Sequence, residues 1–258
     1  MGDRIHPSGL TMQRYVGILA FVGTKFQGWQ TQKQGQSVQE HVEKVWSQLL
    51  NEPIKVYGAS RTDAGVHARG FVFHFDTRQS RSCQSLQHSF NRLIDTDIYL
   101  KQLRKVPSTF EARYQHSKKT YTYQILCGER NPFFAPTVMY VPMDLNAKKL
   151  KQAMRLFLGQ HNFRSFTTKK EDGANFVRNI FRFQLKRVGH LFTFTIVGDG
   201  FMTYMVRMII GTLIAYAQDK LTLESIAAYL DNKDKGRVSY KAEPQGLCLE
   251  KVQYAKKT

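Results

Sequence analysis

The chain has 258 residues, of which 42% are hydrophobic and 22% are charged, a balance that excludes a disordered or fibrous protein. At roughly 150 residues per domain, this length predicts one large domain or two small ones. Because 38 Lys and Arg residues stand against 20 Asp and Glu residues, the formal net charge is +18. We therefore expect a polyanionic partner, with nucleic acid favoured over a membrane surface.

The cysteines, the histidines and the apolar segments exclude further classes of protein. Cys83, Cys127 and Cys248 form no CxxC pair, and the 8 histidines show no metal-ligand spacing, so neither a disulfide scaffold nor a zinc site is expected. The N-terminus lacks the apolar stretch of a signal peptide. The most apolar segment, residues 205–217, contains Arg207 and is too short to span a bilayer. We expect a soluble cytoplasmic protein with no membrane partner and no bound metal.

Six elements follow one another in the first half of the chain. Residues 14–22 are predicted as a buried strand and residues 37–50 as a helix, which opens on a capping box formed by Ser37 and Glu40. The apolar residues of this helix recur with helical period. Further strands are predicted at residues 54–59, 70–77 and 97–106, and a second helix at residues 82–94. The resulting order is β-α-β-β-α-β.

The second half repeats this order with one inserted helix. Strands are predicted at residues 119–127 and 246–254, and a hairpin turned at Gly189 is predicted from residues 177–188 and 190–197. Helices are predicted at residues 146–158 and 201–217, with the inserted short helix at residues 221–232. The halves share no strong sequence similarity, so the repeat is one of topology.

A β-α-β-β-α-β unit is typical of the ferredoxin-like fold, which RNA-binding RRM domains also use. We therefore predict an α+β protein made of two such units, at residues 14–106 and 107–258, after an N-terminal extension at residues 1–13. The two antiparallel sheets are expected to merge around a central cleft.

A loop between two predicted strands places one acidic residue among basic ones. In residues 60–70, Asp63 lies between Arg61 and His67. Such surroundings keep a carboxylate ionised beside phosphate groups, which suits a functional role. The alternative is that Asp63 only caps a turn, because residues 62–65 also carry ordinary turn chemistry. The residues alone leave both interpretations open.

Arg207 lies inside a segment that is otherwise almost entirely apolar. A buried guanidinium needs an acceptor, and a carboxylate such as Asp63 would suit its forked geometry. The alternative is that Arg207 extends from the helix edge to water, as long basic side chains often do.

Tyr121 and Tyr123 alternate along one strand beside Lys118 and Lys119. Aromatic residues at this spacing are commonly part of a core. They could also stack on an unstacked base while the lysines contact phosphates. The Gly-rich residues 23–35 contain neither a dinucleotide-binding nor a P-loop motif, so no nucleotide cofactor is expected.

Residues 60–68, SRTDAGVHA, resemble the GRTDAGVHA signature of the tRNA pseudouridine synthase A (TruA-type) family. Further segments resemble family motifs in the family's order: FQGWQ at residues 26–30, SVQE at residues 37–40, KTYTY at residues 119–123, GFMTYMVR at residues 200–207 and the closing strand at residues 245–254. The resemblance extends from about residue 14 to residue 254.

This resemblance implies the pseudouridine synthase fold and a role for each candidate residue. In the family, the aspartate at the position of Asp63 is the catalytic nucleophile. The residue matching Tyr121 lies against the target base, and the one matching Arg207 pairs with the catalytic aspartate. Arg61 and His67, which flank Asp63 in the signature, are expected to bind substrate.

The same resemblance implies an isomerase that needs no cofactor and converts uridine to pseudouridine at positions 38–40 of the tRNA anticodon stem-loop. Family members commonly act as homodimers, so a homodimer is expected here. A non-catalytic RNA-binding protein or RNA chaperone built from two RRM-like units is the alternative. It would explain the charge, the aromatic residues and the topology, but not an aspartate set among arginines.

Overall fold

The computed structural model describes residues 12–33, 35–168, 175–231 and 236–255. Residues 1–11 of the N-terminal extension lie outside this description. The chain forms two compact units, one within Met1–Ser117 and Glu250–Thr258 and the other within Lys118–Leu249. Within the described residues, no helix is long and apolar enough to cross a membrane.

The first unit has the β-α-β-β-α-β order that the sequence predicted. Its elements are β1 (Gln13–Phe21), α1 (Val38–Leu50), β2 (Val56–Gly58), β3 (His67–Thr77), α2 (Cys83–Leu93) and β4 (Ile98–Val106). In its sheet, β1 lies between β4 and β3 and is antiparallel to both, and β2 pairs with β3. The order therefore confirms the ferredoxin-like prediction for this part of the chain.

Aromatic side chains fill the core between the sheet and the helices of the first unit. The side chains of Phe71, Phe73 and Phe75 alternate along β3 and are completely buried. The Trp46 ring from α1 lies 4.7 Å from the rings of both Phe75 and Phe90, and Phe90 belongs to α2. Helix α1 begins as predicted, because Ser37 Oγ accepts a hydrogen bond from the Glu40 backbone N–H at 3.2 Å.

A buried arginine holds the segment that follows β4 against this unit. Arg14, 5% exposed, donates through Nε and Nη2 to the two carboxylate oxygens of Asp76 at 2.8 and 2.7 Å. Its Nη1 donates to the Phe110 carbonyl at 2.7 Å and to Glu111 Oε1 at 2.9 Å. Arg14 therefore links the sheet to residues 107–115.

His74 and Tyr254 contact the same segment at Ala112. His74 Nδ1 accepts a hydrogen bond from the Ala112 N–H at 3.3 Å, and the Tyr254 hydroxyl donates to the Ala112 carbonyl at 2.8 Å. Burial, reinforced by the positive charge of Arg14, lowers the pKa of His74. The neutral imidazole is therefore the form that the folded unit favours.

The remaining strands and helices lie in the second unit, except for residues 116–117 of β5 and residues 250–254 of β10. They are β5 (His116–Cys127), β6 (Met139–Val141), α3 (Ala147–Met154), β7 (Gly159–Asn162), β8 (Val177–Val188), β9 (Leu191–Gly198), α4 (Met205–Ala217), α5 (Leu223–Leu230) and β10 (Leu247–Tyr254). Strand β9 lies between β5 and β8 and is antiparallel to both, while β7 pairs with β8 and β6 with β5. The predicted hairpin of β8 and β9 turns at Gly189, whose φ is +56°. The residues of β10 from Glu250 onward belong to the first unit.

Helix α4 is buried on nearly every side, which explains why its sequence is apolar all round. The prediction that it begins at residue 201 was wrong, because it begins at Met205. The preceding residue, Tyr204, has φ 61° and ψ 0°, a left-handed conformation that a right-handed helix cannot include. The short strands β6 and β7 were not predicted, because segments of three or four residues carry too little periodicity.

Candidate active site

Asp63 lies in the loop between β2 and β3, where its side chain is half-buried. The backbone turns directly after it, since the Val66 N–H donates to the Asp63 carbonyl at 3.2 Å. Gly65 provides the positive φ, +77°, that this turn requires. The turn chemistry is therefore present, but this turn bond uses the backbone carbonyl of Asp63 and not its carboxylate.

The FQGWQ segment packs directly against this loop. The Gly65 N–H donates to the Phe26 carbonyl at 3.2 Å, and the Trp29 N–H donates to the Thr62 carbonyl at 3.3 Å. Gly28 has φ +86°, and a Cβ atom there would lie 2.3 Å from the Thr62 carbonyl oxygen. Only glycine permits this close approach, so the two motifs form one structural piece.

The aromatic residues of the FQGWQ segment anchor that piece to the core. The Trp29 side chain is 2% exposed, and its ring stacks on Phe71 with a centroid distance of 4.0 Å. Gly58 lies so close that a Cβ atom there would come within 2.7 Å of Trp29 Nε1. The loop that carries Asp63 therefore rests on packed rings of the sheet, a support that fixes the position of a reactive side chain.

The two basic residues that flank Asp63 differ in their environment. Arg61 is exposed to solvent. His67, 6% exposed, accepts a hydrogen bond at Nδ1 from the Gly23 backbone N–H at 3.0 Å. An imidazole that accepts at Nδ1 carries its proton on Nε2, so this contact sets the tautomer of His67. It also connects the start of β3 to the loop after β1.

Tyr121 and Tyr123 lie on the same side of β5, as the alternation predicted. Tyr121 is 5% exposed, and its ring meets Phe201 edge-on, with centroids 5.2 Å apart. The Tyr123 hydroxyl donates to the Glu243 carbonyl at 2.7 Å. Burial raises the pKa of Tyr123, although the charge of Arg207 acts in the opposite direction. Tyr123 is thus a core residue whose hydroxyl is satisfied by the backbone.

Arg207 is 7% exposed, so the interpretation that it extends to water does not hold. Its Nε donates to the Ala242 carbonyl at 2.8 Å, and the Ala242 N–H donates back to the Arg207 carbonyl at 3.0 Å. This reciprocal pair fixes the start of α4 against residue 242. A buried guanidinium held in this way is costly unless its remaining donors are also used.

The candidate residues divide between the two units. Asp63, Arg61 and His67 lie together in the first unit, and Tyr121 and Arg207 lie in the second. The pairing of Asp63 with Arg207 stays a prediction. Within the described part of the chain, no group of three His, Cys, Asp or Glu side chains could hold a metal ion.

Several residues that shape the site carry no signal in the sequence. Phe201 could not be connected to Tyr121 from spacing, because Tyr121 lies on β5 and Phe201 lies 80 residues later, in the segment between β9 and α4. Tyr204 could not be identified as left-handed, since residues with positive φ are usually glycine, asparagine or aspartate. Gly28 and Gly65 are the exception, because a glycine in a turn-like segment is itself a signal that the backbone there has a positive φ.

Comparison with known proteins gives one consistent result. The chain matches the family model described as tRNA pseudouridine synthase over residues 18–115 and 153–255. It is 34% identical to tRNA pseudouridine synthase A of Clostridium kluyveri over 238 residues, which cover 92% of this chain and 98% of that protein. The same enzyme of Anoxybacillus flavithermus is 34% identical over 244 residues, covering 94% and 99% of the two chains. That of Aquifex aeolicus is 37% identical over 242 residues, covering 93% and 99%.

Among solved structures, a Cbf5-Nop10-Gar1 complex aligns with 91% of this chain and 57% of that chain, at 11% identity and a TM-score of 0.39.

Proposed function

Because the chain belongs to the tRNA pseudouridine synthase family, we propose that it isomerises uridine to pseudouridine at positions 38–40 of the tRNA anticodon stem-loop. The observation that carries this proposal is the SRTDAGVHA loop, in which Asp63 is half-buried on a base of packed rings. A rigidly supported carboxylate that remains within reach of solvent suits a nucleophile better than a turn cap.

The reaction redistributes bonds without any redox change. The bond between C1′ of the ribose and N1 of the uracil breaks, the base turns, and a bond forms between C1′ and C5. The proton on C5 is lost and N1 gains one, so no cofactor is needed for the balance. A base within a stem must first leave the stack, which costs a few kcal/mol that contacts in the pocket must offset.

Each candidate residue has a proposed part in this reaction. Asp63 is the nucleophile, toward either the sugar or the uracil ring. The alternative role for the same carboxylate is that of a base that removes a proton from the sugar. Arg207 keeps the carboxylate of Asp63 ionised and aimed, since an adjacent guanidinium favours the charged form. Tyr121 lies against the extruded uracil. Arg61 and His67 bind the substrate near Asp63, where the exposed guanidinium of Arg61 is available to a phosphate.

The positive surface supports the choice of RNA as substrate. Strand β4 alone exposes Lys101, Arg104 and Lys105. The segment after it exposes Arg113, whose guanidinium lies 5.5 Å from the ring of the exposed Tyr114. Basic groups beside an exposed aromatic ring fit a nucleic-acid backbone and its bases.

The proposal includes a homodimeric state and a location in the cytoplasm. The resemblance to the family supports a homodimer, and light scattering during size-exclusion chromatography would test it. Cys83, Cys127 and Cys248 are all free thiols, which supports a reducing compartment such as the cytoplasm.

The experiment that tests the function maps pseudouridine on tRNA after incubation with the protein. Carbodiimide adducts that resist alkali block reverse transcription and mark each new pseudouridine. We expect new stops at positions 38–40, and none on a matched tRNA in which those uridines are replaced by cytidine. Tight tRNA binding without a new stop on any tRNA would instead support the non-catalytic RNA-binding protein.

A further inference from the structure

Tyr204, the residue before α4, adopts a backbone conformation that is unfavourable for its side chain. Its φ of 61° is in the left-handed region. Within the described residues, the other non-glycine positions with positive φ are Asn51 and Asp219. Asn and Asp tolerate this region because their short polar side chains bond locally, whereas a tyrosine gains no such compensation. Contacts of the Tyr204 ring must therefore hold it there.

Two cationic groups lie close to the ring of Tyr204. The guanidinium carbon of Arg207 is 5.3 Å from the ring centroid, and the Lys241 ammonium is 4.5 Å away. Both distances are within the range of a cation–π interaction. Arg207 lies three residues after Tyr204, in the first turn of α4. The left-handed residue at the helix start brings the ring close to this side chain.

The backbone next to Arg207 approaches α4 unusually closely. A Cβ atom at Gly211 would lie 2.8 Å from the carbonyl carbon and oxygen of Tyr240, so only glycine allows this approach. As a result, Ala242 reaches Arg207 and accepts its Nε–H at 2.8 Å. The Ala242 carbonyl therefore holds the guanidinium at Nε, while the Tyr204 ring lies beside its central carbon.

We propose that Tyr204 is a positioning residue for Arg207. Its ring fixes the plane of the guanidinium, and the strained backbone is retained because it places the ring there. This inference rests on the proposed function, in which Arg207 holds the carboxylate of Asp63. Tyr204 acts through Arg207, so its loss affects the chemical step more than tRNA binding.

Three variants separate positioning from a purely structural role. Tyr204→Phe keeps the ring, whereas Tyr204→Asn removes it and suits the left-handed backbone. Tyr216→Asn is the matched control, because it removes a tyrosine from the far end of α4, where the hydroxyl bonds Gln152. For each variant we would measure kcat and KM for pseudouridine formation, and Tm.

We expect kcat to fall when the aromatic ring of Tyr204 is removed, whether or not the stability of the variant changes. Tyr204→Phe should retain kcat within about 2-fold, and Tyr204→Asn should lose about 2- to 30-fold, the range of one cation–π contact. KM should change little. Relief of strain offsets lost contacts, so the Tm of Tyr204→Asn should stay within about 4 °C of wild type. Tyr216→Asn should keep wild-type kcat even if its Tm falls.

Wild-type kcat in Tyr204→Asn would overturn the inference, as would an equal loss in Tyr204→Phe. A rise in KM at constant kcat would show that Tyr204 contacts RNA directly, which also contradicts it. A wild-type protein that makes no pseudouridine would instead refute the proposed function, so the two failures are distinguishable.

Discussion

Replacing Arg14 by methionine removes four hydrogen bonds from the interior of the first unit while keeping most of the side-chain volume. Two of these bonds go to Asp76, one to the Phe110 carbonyl and one to Glu111. The variant therefore leaves two carboxylates without the cation that they face. It also releases the segment of residues 107–115 from the sheet.

The expected loss in the free energy of unfolding depends on how exposed the side chains of Asp76 and Glu111 are. Breaking a fully buried ion pair by removing one partner costs about 3–5 kcal/mol. The side chains of Asp76 and Glu111 are 31% and 41% exposed, so water replaces part of the lost interaction. The unpaired Phe110 carbonyl adds about 1 kcal/mol. We expect Arg14→Met to lower the free energy of unfolding by about 2–3 kcal/mol, below the fully buried value because of that solvation.

The assay can be confined to the unit in question. The only two tryptophans of the chain, Trp29 and Trp46, both belong to the first unit. Their fluorescence during urea unfolding therefore reports this unit. A double-mutant cycle with Asp76→Ala should give a coupling energy of about 1–2 kcal/mol. Additivity within about 0.5 kcal/mol would show that the two side chains do not stabilise each other, and the account of this segment would be wrong.

Three further outcomes follow from the same structure. Affinity for tRNA should fall roughly a thousandfold between about 50 and 200 mM salt if about six phosphates are neutralised, and a flat response would reject the positive surface as the RNA site. Burial lowers the pKa of His74 below its ordinary 6.5, so the unfolded state binds more protons and stability should decline as pH falls below 6.5. His74→Gln should weaken this dependence of the free energy of unfolding on pH, and an unchanged dependence would exclude His74 as its cause. Tyr121→Ala should lose about 1–3 kcal/mol of tRNA binding while Tyr121→Phe keeps it, unless Tyr121→Ala simply unfolds the protein and the ring belongs to the core.

Local signals in the sequence were sufficient to predict most elements of the fold. Ser37 and Glu40 located the start of α1, since a capping box is read within four residues. Gly189 located the turn of the β8–β9 hairpin, because a turn is likewise recognised from a few neighbouring residues. The start of α4 was misplaced because Tyr204, a residue without any turn preference, takes the left-handed conformation. Its ring contacts Arg207 and Lys241, and Lys241 is distant in sequence.

Long-range contacts account for the parts of the fold and of the site that the sequence did not predict. Arg14 is 62 residues from Asp76 and 97 from Glu111, and no pattern along the chain connects them. Composition and spacing likewise left Asp63 with two interpretations. The resemblance to a family chose between them, and the packing of Gly28 against the loop supplies a physical reason for the FQGWQ segment. In each case, the sequence does not show which distant residues the fold brings into contact.

The central claim is that Asp63 is the nucleophile of a tRNA pseudouridine synthase, and the yield of pseudouridine from Asp63→Asn in a single-turnover reaction tests it most directly. Asparagine keeps the size of the side chain and is tolerated in the turn, but it lacks the charge and the nucleophilic carboxylate. The account predicts that no pseudouridine forms at any position of tRNA, while the affinity for tRNA stays at the wild-type value. The variant remains folded, with a lower Tm because the buried guanidinium of Arg207 loses its proposed charged partner. Pseudouridine formation at the wild-type rate by Asp63→Asn, in protein freed of deamidated material, would contradict the account.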